Sequence, residues 1–215
     1  SPDDRYMAYI SDTSGRNLFT AYIMDLKTGN LMPDRFETAG GLEWMNDSKT
    51  LIYETKDEVT LRTNKIWRHQ LGSSKDELLF EETDETAYCG IQKSKSDAYI
   101  FLNHGYTQNI ETHFMSADNP VGKFELIKPR AKDFYYTVEH FEDNFYFLTN
   151  KDGAKNFRLM QTPVKQYQLE NWKDVIAHDE NVLIENFDIF KNYLVVLERK
   201  NGLHQILIRK WADGS

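Results

Sequence analysis

Hydrophobic and polar positions follow a block pattern along this chain, and the pattern returns five times. Each block opens with a short polar turn and continues into a run of aromatic and β-branched residues. The first residues of successive turns lie 44, 48, 47 and 48 positions apart. A period of about 40–50 residues filled with strand-forming residues is typical of the blades of a β-propeller. The turns are Asp4-Arg5, Ser48-Lys49, Ser96-Asp97, Asp143-Asn144 and Lys191-Asn192.

Each repeat predicts four short strands joined by hairpins, which together make one antiparallel blade. The inner strand precedes the polar turn, the aromatic run forms the second strand, and a third and a fourth strand follow. We expect strand 41–46 to pair with 50–55, and 135–141 with 144–149. Inner strands are predicted at 41–46, 87–93, 135–141 and 183–190, and second strands at 6–10, 50–53, 98–102, 145–148 and 193–197. Third strands are predicted at 19–25, 65–71, 110–117, 156–162 and 204–210, and fourth strands at 31–36, 77–82, 124–128 and 172–177.

The aromatic runs predict strands that are buried on both faces. The run Phe145-Tyr146-Phe147-Leu148 shows no alternation of apolar and polar residues, as expected where a blade is covered by a neighbour on each side. The first repeat lacks a predicted inner strand and the last lacks a predicted outer strand. The sequence therefore predicts an all-β propeller piece from a longer chain, an open arc with three complete and two incomplete blades. The blade units are placed at about 1–40, 41–86, 87–134, 135–182 and 183–215.

Charge and composition narrow the expected partners. The formal net charge of −8 disfavours nucleic acid, whose phosphates need clustered Lys and Arg. No apolar run approaches the roughly 20 residues needed to span a bilayer, so no membrane partner is expected. The single cysteine, Cys89, excludes an internal disulfide and lies in an inner strand, where a buried thiol is expected. A cytoplasmic location is expected, with the periplasm as the alternative.

Motifs for catalysis or for cofactor and metal binding are not found in the sequence. The one G-x-S, at Gly72-Ser73-Ser74, lacks the second glycine of a nucleophile elbow and lies in a predicted hairpin turn. The stretch 150–153 lacks the alternating carboxylates of a calcium loop, and no Gly-rich phosphate cradle is present. We therefore predict no catalytic residue, no cofactor and no metal. The histidines, which show no paired zinc-ligand spacing, are at 69, 104, 113, 140, 178 and 204.

Six stretches of the chain are more specific than the repeat itself. They are Thr60-Leu61-Arg62, 64–72 (NKIWRHQLG), 76–82 (DELLFEE), Val138-Glu139-His140, 148–159 (LTNKDGAKNFRL) and 198–203 (ERKNGL). In this order they resemble the N-terminal propeller of the oligopeptidase B (protease II) branch of the prolyl oligopeptidase family. The resemblance implies a seven-bladed propeller followed by an α/β-hydrolase domain that carries a Ser, Asp and His triad. It also implies cleavage of short peptides after Arg or Lys, with the propeller excluding large folded substrates.

Two hypotheses of different class follow from these observations. In the first, the chain is the non-catalytic filter domain of a serine oligopeptidase, and its partners are the C-terminal α/β-hydrolase domain and short peptide substrates. In the second, it is a stand-alone propeller that only binds other molecules. No residue of the triad maps onto this sequence, and the acidic residues that select basic side chains are expected in the hydrolase domain.

Polar residues of the inner strands are the candidates for lining a channel, because the first strand of each blade lies nearest the propeller axis. An acidic lining could favour cationic peptides, and a solvated rim without a binding role is the alternative. The incomplete first and last units also predict self-association through exposed faces and strand edges. The channel candidates are Glu43, Gln92, Glu139, Glu185 and Asp188.

Overall fold

The computed structural model describes residues 1–106 and 109–212, which form an all-β structure of antiparallel sheets. The described residues fall into two compact units, 1–106 with 111–129 and 109–110 with 130–212, and apart from residues 109–110 each unit contains two whole sheets. Within the described residues, none of the helical segments is long and apolar enough to cross a membrane. These segments are short 3-10 turns at Lys151–Gly153, Val164–Gln166 and Leu169–Asn171.

The first sheet of the first unit has six strands in chain order, each antiparallel to the next. Its central strand β4 is buried on both faces, as the unbroken apolar run predicts. Leu51 and Tyr53 pack with Ile23 in one cluster, whereas Ile52 packs with Leu102 in another. The strands are β1 (Tyr6–Ser11), β2 (Phe19–Asp25), β3 (Leu31–Trp44), β4 (Thr50–Lys56), β5 (Thr63–Gln70) and β6 (Glu77–Glu81).

Strand β3 departs from the sequence prediction, which placed separate strands at 31–36 and 41–46. The structure has one continuous strand, whose first part pairs with β2 and whose last part pairs with β4. The register shifts between Ala39 and Leu42, where Gly40-Gly41 lies. Glycines at a bulge bend a strand without ending it, so two repeats share one strand. The predicted pairing of 41–46 with 50–55 is confirmed, with Leu42 opposite Tyr53.

The second sheet of the first unit has four strands in the order β10-β9-β8-β7. Three buried residues of this sheet, Cys89, Leu102 and Met115, belong to the same hydrophobic cluster as Ile52 of the first sheet. The two sheets of this unit therefore share a core. The strands are β7 (Tyr88–Lys93), β8 (Tyr99–Tyr106), β9 (Asn109–Ser116) and β10 (Glu125–Lys128).

The second unit contains a four-stranded sheet and a three-stranded sheet, each in chain order. The predicted pairing of 135–141 with 144–149 is confirmed, with Tyr136 opposite Thr149. Phe147 stacks on Trp172 with ring centroids 3.6 Å apart, and Tyr146, on the opposite face of the same strand, joins the cluster shared with the three-stranded sheet. The strands are β11 (Tyr136–Phe141), β12 (Asn144–Thr149), β13 (Arg158–Pro163), β14 (Lys173–Ile176), β15 (Val182–Ile189), β16 (Tyr193–Lys200) and β17 (Leu203–Lys210).

The polar turn that opens the repeats has a recurring backbone conformation. Asp4, Ser48 and Asp97 have φ values of 56°, 57° and 59°. Short polar side chains tolerate this left-handed conformation better than other L-residues do. Before the second turn, the Asp47 carboxylate accepts a hydrogen bond from the Lys49 amide at 3.0 Å, which stabilises the reversal.

Candidate functional site

Glu43, one of the channel candidates, contacts the edge of inner strand β7 that does not pair with β8. In the described residues β7 pairs with β8 alone, so amides on its other side need acceptors. Ile91 donates its backbone N–H to Glu54 Oε1 at 2.7 Å, and Lys93 donates its backbone N–H to Glu43 Oε1 at 3.1 Å. Two carboxylates from the first sheet therefore cap alternate amides of the second sheet.

The electrostatics of this edge follow from burial. Burial raises the pKa of both Glu43 and Glu54, while the hydrogen bonds from the β7 amides oppose the rise. The negative charge of Glu43 raises the pKa of Glu54 further. The ammonium of Lys93 donates to Asn46 Oδ1 at 2.7 Å. At this edge two carboxyl groups with raised pKa connect the two sheets, and they do not form an open anionic surface.

The Gly40-Gly41 pair makes room for the Glu54 carboxyl group. A Cβ atom on Gly40 would lie 2.6 Å from Glu54 Oε2, and one on Gly41 would lie 3.0 Å from Glu54 Oε1. The first distance is shorter than real Cβ contacts show, and the second is tight enough that the Glu54 carboxyl group would have to shift. The glycines at the β3 bulge therefore have two roles. They bend the strand, and they leave space for the carboxyl group that caps β7.

The other channel candidates lie on inner strands but make different contacts. Gln92 is exposed on β7, next to the capped Lys93 amide. Glu139, half-buried on β11, accepts a hydrogen bond from the His140 amide at 2.7 Å. Glu185 on β15 forms ion pairs across its sheet, and Asp188 is exposed on the same strand. Glu43 and Gln92 lie in the first unit and the other three lie in the second, and their lining of a channel stays a prediction.

Arg62 anchors the loop that connects the two sheets of the first unit. Its side chain is buried, and Nη1 donates hydrogen bonds to the backbone carbonyls of Glu82 at 3.3 Å, Asp84 at 2.8 Å and Ala87 at 2.8 Å. These carbonyls belong to the segment between β6 and β7. A single guanidinium can hold such a loop because its donors are fixed in one plane.

A cavity of about 420 Å3 in the first unit contains Ser, His and Asp side chains together. His69 Nε2 lies 2.8 Å from Asp34, and His69 Nδ1 lies 2.7 Å from Asp76. Both ring nitrogens are thus occupied, and Ser73 Oγ donates to the Lys75 carbonyl at 2.8 Å. A catalytic triad needs a histidine nitrogen that is available to the serine. The arrangement is therefore a buried hydrogen-bonded cluster beneath the Gly72 turn.

Three side chains on β8 and β9 could hold a metal ion. His104, Glu111 and His113 bring ligand atoms within 4.8 Å of one another. On its other side, His104 Nδ1 lies 2.9 Å from Glu82 Oε2. Burial, with a contribution from His104, lowers the pKa of His113. Sequence spacing did not predict this cluster, although Glu111 and His113 are two positions apart and so share one face of a strand.

Comparison with known proteins identifies the family. A model described as "Prolyl oligopeptidase, N-terminal beta-propeller domain" matches residues 1–215. The chain is 38% identical to dipeptidyl aminopeptidase BI of Pseudoxanthomonas mexicana over 218 residues, which are 100% of this chain and 30% of that protein. It is 35% identical to protease 2 of Moraxella lacunata, covering 96% of this chain and 30% of that protein.

Solved structures agree with the sequence relatives. Oligopeptidase B from Leishmania major superposes with a TM-score of 0.88 at 29% identity, covering 98% of this chain and 30% of that one. The chain therefore spans about 30% of the length of the relatives that it matches. The matched region is the propeller of a family of serine peptidases. This chain belongs to the prolyl oligopeptidase family and lies within its N-terminal β-propeller domain.

Proposed function

We propose that this chain is the non-catalytic propeller part of a serine oligopeptidase, where it restricts the active site to short peptides. The observation that carries the proposal is the match of the propeller family model over residues 1–215. The partners under this proposal are an α/β-hydrolase domain of the same parent chain and short peptide substrates. The relatives, which are more than three times as long as this chain, support a parent of that kind.

The chemistry of the described residues supports a positioning role. The carboxylates at the β7 edge accept backbone hydrogen bonds, and both nitrogens of His69 face carboxylates. Nucleophilic catalysis needs a serine next to an available base and oxyanion donors. Side chains that are hydrogen-bonded to a neighbouring sheet hold the sheets in place. A rigid arrangement of sheets is what a domain that excludes large substrates requires.

For the parent enzyme we propose cleavage after Arg or Lys. The likeness to protease 2 of Moraxella lacunata and to oligopeptidase B from Leishmania major supports this specificity. A second candidate activity is the release of dipeptides from peptide N-termini. It is favoured by the 38% identity to a protein named dipeptidyl aminopeptidase BI.

Two fluorogenic substrates would separate these activities in the parent enzyme. One carries a blocked N-terminus before arginine, and the other is a dipeptide amide with a free amine. Cleavage of the blocked substrate supports the endopeptidase, whereas cleavage of the free dipeptide alone supports dipeptide release. The 215-residue chain by itself should cleave neither. Hydrolysis by that chain which survives repurification and is blocked by a serine-directed reagent would contradict the non-catalytic assignment.

The filter role has its own test. The parent enzyme should cleave a short arginyl peptide and leave the same sequence uncut inside a folded protein domain. Equal cleavage of both would contradict size exclusion. If the parent reading frame carries no G-x-S-x-G downstream of the propeller, the chain belongs to a stand-alone binding module instead.

Location and self-association stay proposals. We place the parent enzyme in the cytoplasm, because one buried thiol needs no oxidising compartment, and cell fractionation would test this against the periplasm. Strand β17 exposes Leu203, Ile206 and Ile208 at 68%, 69% and 58%. We propose that the isolated chain associates through such residues, which a clean monomer in sedimentation at micromolar concentration would refute.

A further inference from the structure

His104, Glu111 and His113 lie on the adjacent strands β8 and β9 with their ligand atoms facing one another. His104 Nε2 is 3.2 Å from Glu111 Oε1, and His113 Nε2 is 3.8 Å from the same oxygen. Ligands at about 2.0–2.1 Å around tetrahedral zinc are separated from one another by roughly 3.3 Å. Small side-chain movements would therefore bring these three atoms to coordination distance.

His104 differs from His69 in a way that points to a ligand. His69 has a hydrogen bond to a carboxylate on each ring nitrogen. His104 is also buried, at 6% exposed, but within the described part of the chain its Nε2 has no aligned hydrogen-bond partner. Burying such a nitrogen without an aligned hydrogen bond is costly. A metal ion bound at Nε2 would satisfy it.

The surroundings of His104 match those of a metal-binding histidine. Its Nδ1 lies 2.9 Å from Glu82 Oε2, and metal-ligating histidines usually donate their other N–H to a carboxylate in this way. Phe80 packs against both imidazoles, with ring centroids 4.5 Å from His104 and 6.2 Å from His113. One face of the cluster is thus shielded from water. The ammonium of Lys128 lies near enough to Glu111 to interact with its charge, which opposes cation binding.

We propose that His104, Glu111 and His113 bind one Zn²⁺ ion, with a water molecule in the fourth position. Two imidazole nitrogens and one carboxylate oxygen form a borderline donor set, which suits zinc better than magnesium or calcium. The site ties β8 to β9 within the second sheet of the first unit. The zinc proposal does not depend on the proposed peptidase function, because its test measures the affinity for zinc and not peptide hydrolysis.

The test uses protein stripped of metal with a chelator and titrated with Zn²⁺ against a chromophoric competitor. We expect one Zn²⁺ per chain, and visible d–d absorption when Co²⁺ replaces it. Glu111→Gln and His113→Asn should each weaken binding more than Glu82→Gln, which should cost about 10–100-fold as an outer partner. Lys128→Met should tighten binding, since it removes an opposing charge.

Exposed His204 provides the matched control, and His204→Asn should bind as the unchanged chain does. Circular dichroism of each metal-free variant checks its fold. Hydrogen exchange of the unsubstituted chain needs no variant, and zinc should protect the amides of β8 and β9. Failure of zinc to compete with the chelator would overturn the proposal. Binding that survives both Glu111→Gln and His113→Asn, or that is lost in His204→Asn, would overturn it as well.

Discussion

Replacing Arg62 with methionine tests whether one buried guanidinium holds the connection between β6 and β7. Arg62 is 7% exposed, and its Nη1 donates to three backbone carbonyls of that connection. Methionine keeps the length of the apolar part of the side chain and removes every donor. The change therefore isolates the hydrogen bonds from the packing of the side-chain stem.

The magnitude follows from the two short bonds, to the carbonyls of Asp84 and Ala87 at 2.8 Å. Hydrogen bonds from a charged donor contribute about 1.5–3 kcal/mol each, so the gross loss is about 3–6 kcal/mol. Two effects offset part of it: the guanidinium no longer has to be desolvated, and the exposed Thr86 segment can take up water. We expect a net loss of about 2–4 kcal/mol in the free energy of unfolding.

Urea unfolding followed by tryptophan fluorescence and by circular dichroism measures this loss, provided that the two transitions coincide. Hydrogen exchange of segment 82–87 should also become faster in Arg62→Met. The control is Arg16→Met in an exposed turn, which should change the free energy of unfolding by less than about 0.5 kcal/mol. The reasoning is refuted if Arg62→Met is as stable as Arg16→Met and segment 82–87 exchanges at the same rate.

Three further predictions concern buried groups of the first unit. Burial raises the pKa of Glu54 in the folded chain above its usual 4.5. The protonated carboxyl group therefore stabilises the fold at low pH, and this contribution to the free energy of unfolding is lost as the pH rises through the folded-state pKa. In urea titrations above pH 4.5, Glu54→Gln should therefore become progressively more stable relative to the unsubstituted chain, and a constant difference between the two across that range would contradict the reasoning. Gly40→Ala should cost about 1–3 kcal/mol, because its Cβ would meet Glu54 at 2.6 Å, while Gly90→Ala, at 3.5 Å, should be nearly neutral in the same assay. Burial raises the pKa of Cys89 to about 12, so a thiol reagent should modify it only in urea, and rapid labelling of the native chain would disprove this.

The strands and their hairpin pairing were predictable because their causes are local. The run from Phe145 to Leu148 buries both faces, and its aromatic and β-branched neighbours favour extended backbone. The turn at Ser48 needs a short polar residue with positive φ, and the sequence supplies one there. Such signals lie within a few residues of the element that they specify. For this reason the predicted strands other than 31–36 and 41–46, which are joined in β3, are present with ends displaced by only a few residues.

The contacts between sheets could not be predicted, because they join residues that are far apart in sequence. Glu54 caps the amide of Ile91, which is 37 positions away, and Arg62 reaches the carbonyl of Asp84, which is 22 positions away. Neither pair has a sequence motif. The continuous strand β3 was missed for a related reason. Glycine pairs signal a bulge and a chain reversal equally well, and only pairing with both β2 and β4 decides between them.

For the selection of peptides by a propeller of this kind, the location of the charged side chains matters more than the net charge. The chain has a formal net charge of −8, yet Glu43 and Glu54 accept hydrogen bonds from β7 amides, and burial raises the pKa of both. A carboxyl group that is already bonded and that resists ionisation contributes little attraction to a lysine or arginine side chain. Selection of cationic peptides under the proposed function must therefore come from exposed carboxylates, such as Asp188, or from the hydrolase domain. The acidic composition of the propeller is by itself no argument for a basic substrate.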